Sequence, residues 1–99
     1  MNVAKMLQEA QRAQERLTRS LAELEVEGSA GGGLVRVRLN GLKELKKIAI
    51  DGAALKGEEA SLLEDLVVAA WQEAARLAEE QSRAVLGKMG LPAGMAGMF

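Results

Sequence analysis

The segment GSAGGGLVRVRLNG, Gly28 to Gly41, decides the fold. It opens with a cluster of glycines and continues with two arginines alternating with apolar residues. Two readings compete. A phosphate-binding loop places its glycines directly before a helix, whose first N–H groups take the anion, often with a Lys-Ser or Lys-Thr pair. A hairpin places them between two strands, where positive φ is needed. Here Val35, Val37 and Leu39 alternate with Arg36 and Arg38, the period of a half-buried strand. A strand follows the glycines, so the hairpin is the better reading.

Before the glycines, LEVEG alternates Leu24 and Val26 with Glu25 and Glu27. Pairing Val26 with Val37 sets Glu25 opposite Arg38 and Glu27 opposite Arg36, and leaves AGGG as the loop. Alternation and charge complementarity both favour this register. In it the two arginines belong to a cross-strand ladder. Further on, Asn40-Gly41 is a two-residue turn signal, and KKIAID supplies Ile48 and Ile50 for a third strand. A two-residue loop sets Glu44 and Lys46 opposite Val37 and Val35. A longer loop, or a bulge between Leu45 and Ile48, returns the isoleucines to the apolar face. The sequence leaves both open.

Working outward, Val3 to Glu23 reads as a helix with Asn2 as N-cap. Val3, Met6, Ala10, Ala13, Leu17, Leu21 and Leu24 recur at spacings of three and four, forming one stripe. Its length, about 30 Å, is large for a small domain. After a connector from Asp51 to Gly57, a second long helix runs through SLLEDLVVAAWQEAARLAEEQSRAVLGK. Ser61 and Glu64 have the form of a capping box, with Glu58 and Glu59 allowing an earlier start. Leu63, Leu66, Val67, Ala70, Ala74, Leu77, Ala78 and Gln81 share one face; Val68, Trp71 and Ala75 lie off it. The run Leu66–Trp71 is apolar all round and needs burial on more than one side. One sheet cannot supply that, and a second protomer can. Leu66, Val68, Trp71 and Ala75 are therefore expected at a dimer contact. Residues 1–88 form a single domain on this reading, and the Gly- and Met-rich segment 89–99 is expected to be a flexible tail.

Composition narrows the function. The 99 residues include one Trp, one Phe and no Tyr, so the core is aliphatic and oligomerisation is a natural way to complete it. There is no cysteine and no histidine. That removes disulfides, thiol nucleophiles, thiolate metal sites and the usual base near neutral pH. Thr18, Ser20, Ser29, Ser61 and Ser82 have no imidazole to activate them, and no Walker or dinucleotide pattern is present. A non-enzyme without cofactor or metal is expected. No apolar block marks a signal peptide and no run is long enough for a membrane span, so a cytoplasmic, soluble chain is expected.

The formal net charge is −1, unevenly spread. Residues 1–50 carry a net +3 and residues 51–99 a net −4. Lys5, Arg12, Arg16 and Arg19 lie within about 60° of one another on the first helix, away from its apolar stripe. Such a row can follow a phosphate backbone. Glu9, Glu15 and Glu23 lie near enough to pair with it. If they do, a protein partner is favoured over nucleic acid.

Together, VEGSAGGGLVRVRLNG, KKIAIDGAAL, LLEDLVVAAWQEAARLAEEQ and the closing GLPAGM, in this order after a long first helix, resemble the YbaB/EbfC family of bacterial nucleoid-associated proteins. The resemblance covers nearly the whole chain. It implies an α+β fold, an α-β-β-β-α protomer with a three-stranded antiparallel sheet and two long projecting helices, assembled as a homodimer. It also implies duplex DNA binding, nucleoid localisation, and a role in nucleoid organisation or gene expression. Carried over, the DNA-contacting positions are Lys5, Arg12, Arg16 and Arg19 on the first helix, and Arg76, Arg83 and Lys88 on the last. Arg36 and Arg38 keep their structural role. The competing reading is a protein-interaction module in replication, recombination or RNA metabolism, with RNA a third kind of partner.

Overall fold

The computed structural model describes residues 2–53 and 60–90. Helix α1 (Val3–Glu23) leads into strands β1 (Glu25–Ala30), β2 (Val35–Asn40) and β3 (Leu45–Ile50), and helix α2 (Ala60–Lys88) closes the order. The strands form one antiparallel sheet in the order β1-β2-β3. α2 lies across β1 and β2, and its side chains Ala70, Ala74 and Ala78 meet Val26, Val35, Val37 and Leu39 in the main core. The expected element order and fold class are those observed.

Local chemistry explains the boundaries of α1. The Asn2 side chain accepts the Lys5 N–H at 3.1 Å, the N-cap bond the sequence suggests. At the other end Leu24 turns extended and its N–H returns to the Leu21 carbonyl at 3.3 Å. Gly41, from the β2–β3 connection, donates to the same carbonyl at 2.8 Å. A β-carbon on Gly41 would sit 2.6 Å from that oxygen, so only glycine lets the connection dock here. The Ser82 hydroxyl of α2 then donates to the Gly41 carbonyl at 2.8 Å in a buried bond. One glycine thus joins α1, the sheet and α2, and Leu17, Leu21 and Leu86 form a second small core beside it. Ser82→Ala removes the one side-chain donor to that carbonyl among the described residues. It is expected to cost about 1–2 kcal/mol, measured by urea unfolding at fixed protein concentration.

The first hairpin departs from the expected register by two residues. Val26 pairs with Leu39, Glu27 with Arg38, and Gly28 with Val37. The loop is GGGL, residues 31–34, and Gly31, Gly32 and Gly33 all have positive φ, at 66°, 68° and 92°. The expected loop would have put Ala30 among those residues. In the observed register Ala30 stays extended and only glycines enter the left-handed region. Of the two expected ion pairs neither forms; Glu27 meets Arg38 instead, at 3.6 Å.

In the second hairpin the longer alternative holds. Leu39 pairs with Leu45 and Arg38 with Lys47, so Lys46 is the extra residue of a bulge. Asn40 shapes the connection. Its Oδ1 accepts the N–H groups of Leu42 at 3.0 Å and Glu44 at 2.9 Å, and its Nδ2 donates to Glu44 Oε1 at 2.7 Å. Ile48 and Ile50 return to the side of Val37 and Val35, as expected, but stay exposed because α2 does not cover β3.

Two expectations for α2 change. Ala60 is already helical, so Ser61 lies within the helix and does not cap it. Gln81 is exposed, and Ser82 and Leu86 are buried in its place, because the end of α2 turns from the sheet toward α1. The connector beyond Ala53 and the segment 91–99 lie outside the described residues.

Candidate nucleic-acid interface

α1 is an arm. Residues 3–16 are exposed on every side, and only Leu17 and Leu21 are buried. The protomer is accordingly elongated, 69 Å by 19 by 18 Å. Leu17 and Leu21 turn toward Val85 and Leu86 near the end of α2. At about 100° per residue, Arg12, Arg16 and Arg19 then face away from α2. Lys5 continues the row one turn or more beyond.

The charged partners of these groups matter more than their number. Among the described residues, no carboxylate lies within 4.0 Å of Lys5, Arg12, Arg16 or Arg19; Glu9 and Glu15 do not pair with them. The cations on α2 differ. Arg76 is held by Glu73 and Glu80, both at 2.7 Å, and Arg83 by Glu79 at 3.0 Å. The hydrogen bond from Arg76 lowers the pKa of the Glu73 carboxyl below its ordinary value, and Glu73 in turn raises that of Arg76. A phosphate must displace these carboxylates to reach Arg76 or Arg83. Lys88 is in the last turn of α2, where its charge complements the helix dipole.

The sheet adds basic groups that sequence reasoning assigned only to structure. Arg36, Arg38 and Lys47, with Glu27 and Ala49, line a shallow depression of about 80 Å³ on the face opposite α2. Arg38 is engaged by Glu27, whereas Arg36 stands between two small neighbours, Ser29 and Ala49. The signal was present in the spacing of Arg36, Arg38 and Lys47, but it needed the β2–β3 register to become one patch.

The expected dimer residues divide into two kinds. Leu66 and Ala75 pack partly on the protomer's own core. Val68 and Trp71 remain 56% and 42% exposed. They share a flank of α2 with Glu79 and Ser82, which reach Lys43 and Gly41 in the β2–β3 connection. That flank therefore turns to the β3 side, where Leu45, Ile48 and Ile50 are also exposed. Among the described residues no group of three or more carboxylates could hold a metal ion, and no helix is long and apolar enough to cross a membrane.

A family model described as the YbaB/EbfC DNA-binding family matches residues 1–95. The chain belongs to that family. Its relatives include a nucleoid-associated protein of Xanthomonas campestris pv. campestris (strain B100), 44% identical over 95% of this chain and 93% of that protein. Another, from Bradyrhizobium sp. (strain ORS 278), is 46% identical over 90% of this chain and 91% of its own length. Among solved structures, an uncharacterized protein from Helicobacter pylori shares the fold, with a TM-score of 0.70 and 22% identity over 90% of this chain and 97% of that one. The family membership agrees with the resemblance carried by the glycine loop, the LVRVRLNG strand and the LLEDLVVAA helix.

Proposed function

We propose that this chain is a nucleoid-associated protein. It acts as a homodimer that holds duplex DNA mainly through phosphate contacts from the basic face of α1, in the nucleoid, without catalysis. The row Lys5, Arg12, Arg16 and Arg19 on an exposed arm, with no carboxylate among the described residues within 4.0 Å, carries the reading. The names of the relatives and the family description support it. The protein-interaction alternative needs Glu9 and Glu15 to neutralise the row, and they do not pair with it among the described residues.

The dimer has its own physical support. The exposed part of α1 spans residues 3–16, and a helix that short is marginal in water by itself. Its apolar residues Val3, Met6 and Leu7 are exposed in the protomer. A second copy supplies cover for these arms and for the open flank of α2 with β3. Pairing brings two cation rows to one duplex, and doubling the phosphate contacts strengthens binding without any base reading. Phosphate contacts set position and carry no sequence information, so the dimer discriminates weakly between sequences. The near absence of aromatics removes stacking as a further means of selection.

The test is fluorescence anisotropy with two unrelated duplexes across a salt series. Binding should weaken steeply with salt and differ little between duplexes. An Arg12/Arg16/Arg19→Ala variant, with unchanged circular dichroism and elution volume, should lose at least about tenfold in affinity. Its salt slope should fall by about three, near one per phosphate contact removed. No binding by the wild-type protein at low salt would overturn the proposal.

A further inference from the structure

We infer that the open face of the sheet is a second phosphate-contacting surface, built by Arg36, Arg38 and Lys47, which extends the duplex track from the α1 arm onto the body of the protomer. The inference rests on the DNA reading above and adds a site to it.

Register assembles the patch. Arg38 pairs with Lys47 across β2 and β3, and Arg36 follows two residues earlier on the same face. Ala49, opposite Arg36, is too short to fill the space between the cations, which leaves the depression of about 80 Å³. The depression admits water-sized groups, so phosphate oxygens can come up to the cations that line it. Ser29, across from Arg36 on β1, offers a hydroxyl and no competing charge. The one carboxylate in the depression, Glu27, lies 3.6 Å from Arg38, and both side chains are nearly half exposed. Such a pair is weak and opens readily. It tempers the patch without closing it.

Charge favours the same occupant. α2 covers the other face of the sheet, so Arg36, Arg38 and Lys47 point away from α2. The row on α1 also points away from α2, because Leu17 and Leu21 point toward it. The sheet patch points away from the middle of α2 and the α1 row from its end. A long polyanion of uniform charge can reach two separate cation sets, which a compact acidic ligand cannot. Planar guanidinium groups also match phosphate geometry. Among the residues that line this depression Ala49 is the one apolar side chain, which gives a protein partner little to bury.

The experiment measures anisotropy on a duplex over a salt series with four variants. Arg36→Ala with Lys47→Ala should weaken binding about tenfold and lower the salt slope by about two. Arg36→Lys should retain the slope. Glu27→Gln, which frees Arg38, should tighten binding several-fold. Glu64→Gln makes the same charge change on α2 and should leave affinity near wild type. Each variant is first matched to wild type in circular dichroism and oligomeric state. If wild type binds and the double variant keeps its affinity and slope, the sheet site is overturned and the α1 reading stands. If Glu27→Gln and Glu64→Gln tighten binding equally, only net charge matters and the site is overturned. If wild type binds no duplex, both proposals fall.

Discussion

Gly28→Ala is expected to destabilise the fold by about 3 kcal/mol, a fall in Tm of roughly 10–20 °C for a domain of this size. The residue lies in β1 beneath α2. A β-carbon there would fall 2.8 Å from Ala74 Cα and closer still to Ala74 N and Ala70 O, all backbone atoms of the helix. Nothing in that contact is a flexible side-chain end that can swing aside. Either α2 lifts from β1, which opens the core at Ala70 and Ala74, or β1 bends away from β2. Gly52→Ala is the matched control. A β-carbon there meets nothing within 4 Å, and the change should stay within about 0.5 kcal/mol. Thermal and urea unfolding at one protein concentration compare the two. Equal stability would mean that α2 is not seated on β1 as closely as the structure has it.

The strand register was only partly legible in the sequence. The helices were readable because their signals are local: the Asn2 cap, apolar spacings of three and four, and good helix formers along both runs. The alternation of Val35, Val37 and Leu39 likewise gave β2 and its buried face. The register of β1 was inferred from charge, with Glu25 opposite Arg38 and Glu27 opposite Arg36. Exposed cross-strand pairs contribute only a few tenths to about 1 kcal/mol. Keeping Ala30 out of a left-handed turn outweighs that. A shift of two residues also preserves every inward-facing side chain, so hydrophobic alternation could not detect the error. What separates the two registers is which residues enter the left-handed turn: Gly31, Gly32 and Gly33 do, and Ala30 stays extended.

The candidate site was legible to a similar depth. The cation row on α1 follows from helical spacing alone. The difference between free Arg12 and clamped Arg76 was not extracted, although Glu73 and Glu80 stand three and four residues from Arg76 and form the pairs that helix geometry allows. The basic patch on the sheet was only half legible: Arg36 and Arg38 alternate onto one face, but placing Lys47 beside Arg38 depends on the Lys46 bulge. A residue earlier or later, Lys47 would leave that face.

Ile48→Glu is expected to convert the proposed dimer into monomers, raising its dissociation constant by about a thousandfold or more. The estimate is the cost of burying an unpaired carboxylate in an apolar contact, about 4 kcal/mol or above. Ile48 is 43% exposed in the protomer, so the charge is harmless to the monomer. It lies on the β3 side toward which the Val68 and Trp71 flank turns, where a second copy would exclude water. Light scattering with size exclusion reads the mass directly. Trp71 gives an independent signal, because it is the single tryptophan of the chain. Its emission should shift to the red as the contact opens. Ser29→Glu adds the same charge to the opposite face of the sheet and should leave the mass unchanged. A wild-type monomer at micromolar concentration would remove the dimer from the proposal, and a dimeric Ile48→Glu variant would move the interface elsewhere. DNA binding then discriminates further. If pairing matters because it brings two rows of α1 cations to one duplex, Ile48→Glu must lose affinity and salt slope together, although it removes no positive charge. A monomeric variant that kept the wild-type slope would show that one arm and one sheet face already make all the phosphate contacts.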